Sequence, residues 1–167
     1  MIFWIGLVAG TLDITENIVF NAFRGITPWR IFQFIASGIL GRHSFQMGWM
    51  SFGLGIVIHY AIALTWTVIF YVAAAKLNFR VLMSRPILSG LIYGIIVYLV
   101  MNFIVLPLTA VPPRPAAVTL VNRVNAVLAL MLCIGLPIAL LMRRALRKPI
   151  KLRLVDPPAE AGRPKRA

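Results

Sequence analysis

Four stretches of the chain, 2–23, 49–75, 86–108 and 118–142, are each long and apolar enough to cross the ~30 Å hydrocarbon core of a bilayer, which takes about 20 residues of helix. Lipid offers the backbone no hydrogen-bond partners, so each stretch must satisfy its own N–H and C=O groups, as a helix does. The composition agrees: 60% of the 167 residues are hydrophobic and the mean hydropathy is +0.90, well above the globular range. The expected fold is an all-α integral membrane protein, a four-transmembrane-helix bundle over residues 1–145. A basic tail, 146–167, rich in proline, alanine and charge, is expected to be disordered and cytoplasmic.

The net charge of +13 does not point to nucleic acid, because the lysines and arginines gather between the apolar blocks and at the C-terminus instead of along one face. Cys133 is the only cysteine, so no disulfide framework or cysteine zinc cluster can form within the chain. The opening MIFWIGLVAG has no basic segment before its apolar run, which reads as a retained helix and not a signal peptide. The two histidines, His43 and His59, fall at different depths, so no metal, haem or other cofactor is expected.

Residues 28–41 behave differently. Thr27 is placed to cap a helix with Pro28 at its first position, and Gly41 falls near its end. Arg30, Gln33 and Ser37 share one face, opposite Ile31, Phe32, Ile35 and Ile39. At 1.5 Å per residue such a helix reaches only about 20 Å and cannot span alone. It is expected to lie in the membrane interface or to re-enter the bilayer as the lining of a polar cavity.

The positive residues also set an orientation. Lys76, Arg80 and Arg85 follow the second block, and Arg143, Arg144, Arg147, Lys148, Lys151 and Arg153 follow the fourth. Arg24, Arg30, Arg42, Arg114 and Arg123 fall on the other side, a weaker set that leaves both termini cytoplasmic.

The first block carries two acids, Asp13 and Glu16, in the segment GTLDITENIVF. Its eleven Leu, Ile, Val and Phe residues each favour insertion by roughly 0.3–0.6 kcal/mol, while each acid costs roughly 2.5–3.5 kcal/mol near the centre, so the two contributions nearly cancel. The acids are therefore expected to face protein or water. Gly6, Gly10, Asp13, Asn17, Asn21 and Arg24 recur at three- and four-residue spacing along one stripe. Gly6 and Gly10 form a small-xxx-small pair suited to close helix packing. The second block repeats the pattern with Gly48, Ser51, Gly55 and His59, the third with Gly90, Gly94, Tyr98 and Asn102, and the fourth with Asn122, Asn125, Ala129 and Cys133.

Alternating helix direction brings these stripes into register. Asp13, His59 and Tyr98 fall about 15 Å below one surface, and Glu16, Asn102, Asn125 and Arg123 about 5–10 Å below it. Two pairings are expected from depth alone: Glu16 with Arg123 as an ion pair, and Asp13 with His59 as a hydrogen-bonded pair able to move a proton. Pro107 and Pro137 each free a carbonyl one turn earlier.

The ordered segments GLVAGTLDI, IASGILG, LGIVIHYAIA, YGIIVYLVMN and VLPL, within residues 6–108, resemble an uncharacterised family of small polytopic bacterial inner-membrane proteins. The resemblance implies the same location and makes Asp13, His59 and Asn102 motif positions; it implies no activity.

Three functions fit the residues. One is a proton-linked carrier of a small solute or ion, with Asp13 titrating, His59 as its partner, Asn17, Tyr98, Asn102 and Asn125 along the route, and Glu16 and Arg123 at the mouth. Another is a non-catalytic accessory subunit or homo-oligomer, using Gly6, Gly10, Gly55, Gly90 and Gly94 to pack against other membrane helices. The last is a lipid- or quinone-directed enzyme, for which the sequence offers no catalytic nucleophile with its base, metal-ligand spacing or phosphate loop.

Overall fold

A computed structural model describes residues 1–76, 84–112 and 119–155, the last nine of these as backbone only. It contains α1 (Ile2–Ala22), α2 (Pro28–Leu40), a 3-10 turn (Gly41–Gln46), α3 (Trp49–Lys76) and α4 (Pro86–Leu108). The last helix, α5, opens with Leu120–Ala129, widens into a π turn at Leu130–Gly135 and continues as Leu136–Val155. α1, α3, α4 and α5 are each long and apolar enough to cross a membrane. The chain remains helical through Val155, past the expected end of the bundle at residue 145; residues 156–167 lie outside the described residues.

Both π turns have a local cause. Proline lacks an N–H and its ring collides with the carbonyl four residues earlier, which a wider turn relieves. Pro107 lies just beyond the π turn Met101–Val105 of α4, and Pro137 just beyond Leu130–Gly135 of α5.

Glycines decide which helices touch. Gly6 and Gly10 bring α1 against Leu64, Thr67, Ala63 and Tyr60 of the antiparallel α3. Gly90 and Gly94 bring α4 onto the backbone of Gly135, Leu136 and Met131 in α5, where any Cβ would collide with main chain. Without a hydrophobic driving force between helices in lipid, such close backbone approach is the main source of association. The bundle is closed across α3 and α4 by Tyr93, whose hydroxyl donates to the Trp66 carbonyl while its ring packs edge-on to Phe70.

One apolar core fills the half of the bundle nearer Arg143: Ile5 and Ala9 of α1, Phe70 and Ala74 of α3, Val97 of α4, and Ile134, Ile138 and Met142 of α5. The other half, nearer Arg24, has a smaller cluster in which Ile14, Ile31 and Phe32 meet Phe52 and Ile56.

The short helix α2 forms as its caps dictate. Thr27 Oγ1 accepts from the Arg30 amide at 3.4 Å with Pro28 in the first turn, and Gly41 ends it with φ +59°, a conformation that side-chain-bearing residues rarely adopt. Its placement corrects the simple two-faced reading. Gln33 and Ser37 point into the protein, Gln33 donating to Ser51 of α3 at 3.4 Å, while Ile39 is 67% exposed. Gly55 is the reason, since its missing side chain lets the Phe32 carbonyl settle directly onto α3. At the N-terminal ends of α2 and α3, Trp29 stacks on Phe52 at 4.7 Å and meets Trp49 edge-on.

Candidate functional site

The stripe of α1 serves two neighbours. Its glycines meet α3, and its acids turn toward α5, where the helices part. Between α1, α2 and the Leu120–Ala129 segment lies a cleft of about 520 Å³, within the size range of small-molecule sites. Asp13 sits at its inner end beside Ala129 and Leu130; Glu16, Asn17 and Asn21 follow along α1; Asn122 and Asn125 face them from α5; and Arg24 and Arg30 complete the lining. Asn122, Asn125, Ala126 and Ala129 recur with helical spacing, which is why this face of α5 is the one turned to the cleft.

Hydrogen bonding distinguishes the two acids. Asn125 Nδ2 donates to Glu16 Oε1 at 3.0 Å, a bond across the α1–α5 gap. Asp13 has no hydrogen bond or ion pair among the described residues, although it is at mid-depth in a spanning helix. Asn21 donates to both the side-chain and main-chain oxygens of Asn17, at 3.1 and 2.9 Å. Thr119 caps α5, its hydroxyl accepting from the main-chain N–H of Asn122 at 3.3 Å, and the Asn122 side-chain oxygen is buried without a partner among the described residues. Each arginine lies over an aromatic ring instead of an acid: Arg24 is 4.4 Å from the Phe20 centroid and Arg30 is 4.9 Å from that of Phe45.

Neither pairing expected from depth forms. His59 Nε2 is 2.8 Å from the Gly10 carbonyl, and because a carbonyl only accepts, that nitrogen carries the proton. The side chain is buried in the α1–α3 contact and does not line the cleft. Depth placed His59 correctly beside α1, but the bare backbone at Gly10 admits the ring, and Asp13 is turned toward α5. Beside this bond, Thr11 Oγ1 and Tyr60 Oη are 3.0 Å apart. Arg123 is exposed and makes no bond to Glu16; it is one position off the face that carries Asn122 and Asn125. Tyr98 and Asn102 also lie outside the cleft lining, Asn102 donating to the Tyr98 carbonyl within α4 at 3.0 Å.

The cations of the cleft are thus Arg24 and Arg30. Arg24 ends the polar stripe of α1 and was legible as such; Arg30 belongs to the polar face of α2, and only the packing of α2 brings it to α1. Tyr93 gave no polar-stripe signal, being adjacent to Gly94. Among the described residues no three histidine, cysteine, aspartate or glutamate side chains converge to hold a metal ion. Cys133 is a half-buried free thiol in the π turn.

Fold and site together define a multi-pass helical membrane protein with a mixed-charge cleft opening between its helices. No family model matches the chain, and no curated protein or solved structure shows significant similarity to it.

Proposed function

We propose that the protein is a proton-linked carrier of a small solute in the bacterial inner membrane, with Asp13 as the group that takes up and releases the proton. The supporting observation is the position of Asp13: a carboxyl group at mid-membrane depth, facing a cleft of about 520 Å³, with no partner of its own among the described residues. An ionised carboxylate there is costly in lipid, so it is neutralised by a proton or by the charge of a bound solute, and the exchange between the two is what couples their movement. His59 takes no part in this exchange, because its proton is committed to the Gly10 carbonyl.

With Lys76, Arg85, Arg143 and Arg144 on the cytoplasmic side, both termini are inside and the cleft opens outward. Ile5, Ala9, Ile134 and Ile138 close the path on the inner side. Access alternates when α1 closes on Leu120–Ala129 at one end and separates from α5 at the other. The glycine contacts keep α1 with α3 and α4 with α5, so the two pairs move as units.

Gly6, Gly10, Gly55, Gly90 and Gly94 all meet helices of the same chain. The test is proton movement into proteoliposomes containing the full chain, followed with an internal pH dye while solutes are added outside. Solute-dependent acidification that is absent from Asp13→Asn supports the carrier; equal traces from wild type and Asp13→Asn reject it.

A further inference from the structure

Two carboxylates and two guanidiniums line a single cleft, yet among the described residues none of the four is paired with another. Arg24 and Arg30 are exposed and Asp13 and Glu16 half-buried, so a molecule entering the cleft meets both signs of charge. Here the geometry keeps them apart. Arg24, in the turn after α1, lies over Phe20, whose backbone is one helical turn, about 6 Å along the axis, beyond that of Glu16. Arg30 is held on the opposite wall by Phe45. Glu16 uses one oxygen to accept from Asn125 and has the other free, and neither guanidinium is paired with an acid among the described residues. The buried, unpartnered oxygen of Asn122 adds an acceptor to the same wall.

We propose that this cleft recognises a small molecule with an ammonium group at one end and a carboxylate or phosphate at the other. Glu16 receives the ammonium, with Asn122 as a second acceptor, and Arg24 and Arg30 hold the anion as charge-assisted donors. Asp13 stays free for its proton. The separation favours molecules whose charges are several bonds apart, such as a dipeptide or an ω-amino acid, over an α-amino acid, whose two charged groups share one carbon. The aliphatic segment between the charges passes Ala126 and Ile31 in the lining. The same pair of charges occurs on a phosphoethanolamine lipid headgroup, so the ligand is either a free solute or that headgroup.

This proposal deepens the carrier reading and rests on it for what happens to the solute, but recognition can be measured without transport. The experiment is equilibrium binding to the purified full chain in detergent by calorimetry, with glycylglycine and 5-aminopentanoate as probes. N-acetylated and C-amidated forms of each remove one charge at a time, and dihexanoyl-phosphatidylethanolamine presents the headgroup. Saturable binding of a doubly charged probe, weakened at least tenfold by either cap, is the expected result. Glu16→Gln, which keeps an oxygen for Asn125, abolishes the penalty for acetylation, and Arg30→Gln abolishes the penalty for amidation. Arg123→Gln, outside the cleft, changes neither. Tighter binding of the short-chain lipid assigns the cleft to a headgroup, and tighter binding of the free probes assigns it to a solute. Binding of none of them, or equal binding of capped and uncapped forms, overturns the proposal. Binding with these preferences but no proton movement in proteoliposomes leaves recognition standing and rejects the carrier.

Discussion

The two halves of the bundle use the same pair of helices to opposite effect. Toward Arg143, α1 and α5 are in close contact, with Ile5 and Ala9 against Ile134, Ile138 and Met142. Toward Arg24 they separate: α1 touches Leu120–Ala129 only lightly, and the space between them is the polar cleft. The change falls at the π turn preceding Pro137, where α5 departs from regular helical winding. In the closed half α4 and α5 meet backbone to backbone across Gly90, Gly94 and Gly135. In the open half Gly55 seats α2 on α3, but between α1 and α5 the one side-chain bond among the described residues is Asn125 to Glu16. The α1–α5 contact is therefore apolar and close at one end, and polar and sparse at the other.

Gly135→Val is the most damaging substitution this contrast predicts. Its side chain would run into the Gly90 carbonyl and the Gly94 backbone, neither of which can yield without separating α4 from α5. The expected result is loss of the monodisperse peak in detergent, a failure of the α4–α5 contact and not a graded shift in stability. Next comes Phe70→Ala, which empties the centre of the closed half and is expected to cost about 3–5 kcal/mol in reversible unfolding. Replacing His59 with Phe keeps the bulk but removes the bond to Gly10, at about 0.6–1.7 kcal/mol by the same measurement.

Smallest in stability is Asn21→Ala in the cleft, expected to stay within about 0.5 kcal/mol of wild type. Asp13→Asn is expected to leave the unfolding free energy unchanged or raise it, while abolishing proton-coupled uptake, because an acid is among the costliest groups to hold at this depth. If the cleft variants destabilise the fold as much as Phe70→Ala does, the division between a structural and a working half fails.

Much of this architecture is legible in the residues. The four spans follow from apolar length, and α2 follows from Thr27, Pro28 and Gly41. The glycine positions mark close approaches, and depth along each helix follows from a constant rise per residue, so Glu16 and Asn125 are correctly placed at one level. Azimuth is harder. His59 and Asp13 lie at one level as expected, yet they face different neighbours of α1. Arg123 misses Glu16 because one residue along α5 is a rotation of about 100°, enough to turn it from the cleft to the surroundings. Gln33 and Ser37 show the same difficulty, since a polar face on a short helix can address water or a polar partner such as Ser51.

The sequence by itself determined the number of spans, their polar stripes and the level of each polar group along its helix, because hydropathy and helical rise are properties of one helix at a time. Only the tertiary structure decided that the α1 glycines serve α3 while its acids serve α5, that Arg24 and Arg30 share a cleft with Asp13 and Glu16, and that Tyr98 and Asn102 do not. Those choices depend on the rotation of each helix against its neighbours. In an apolar solvent, a lipid-facing surface and a protein-facing surface are equally apolar, so hydropathy does not distinguish them. The rotation is set instead by where backbones can touch and by where Pro137 makes α5 leave α1.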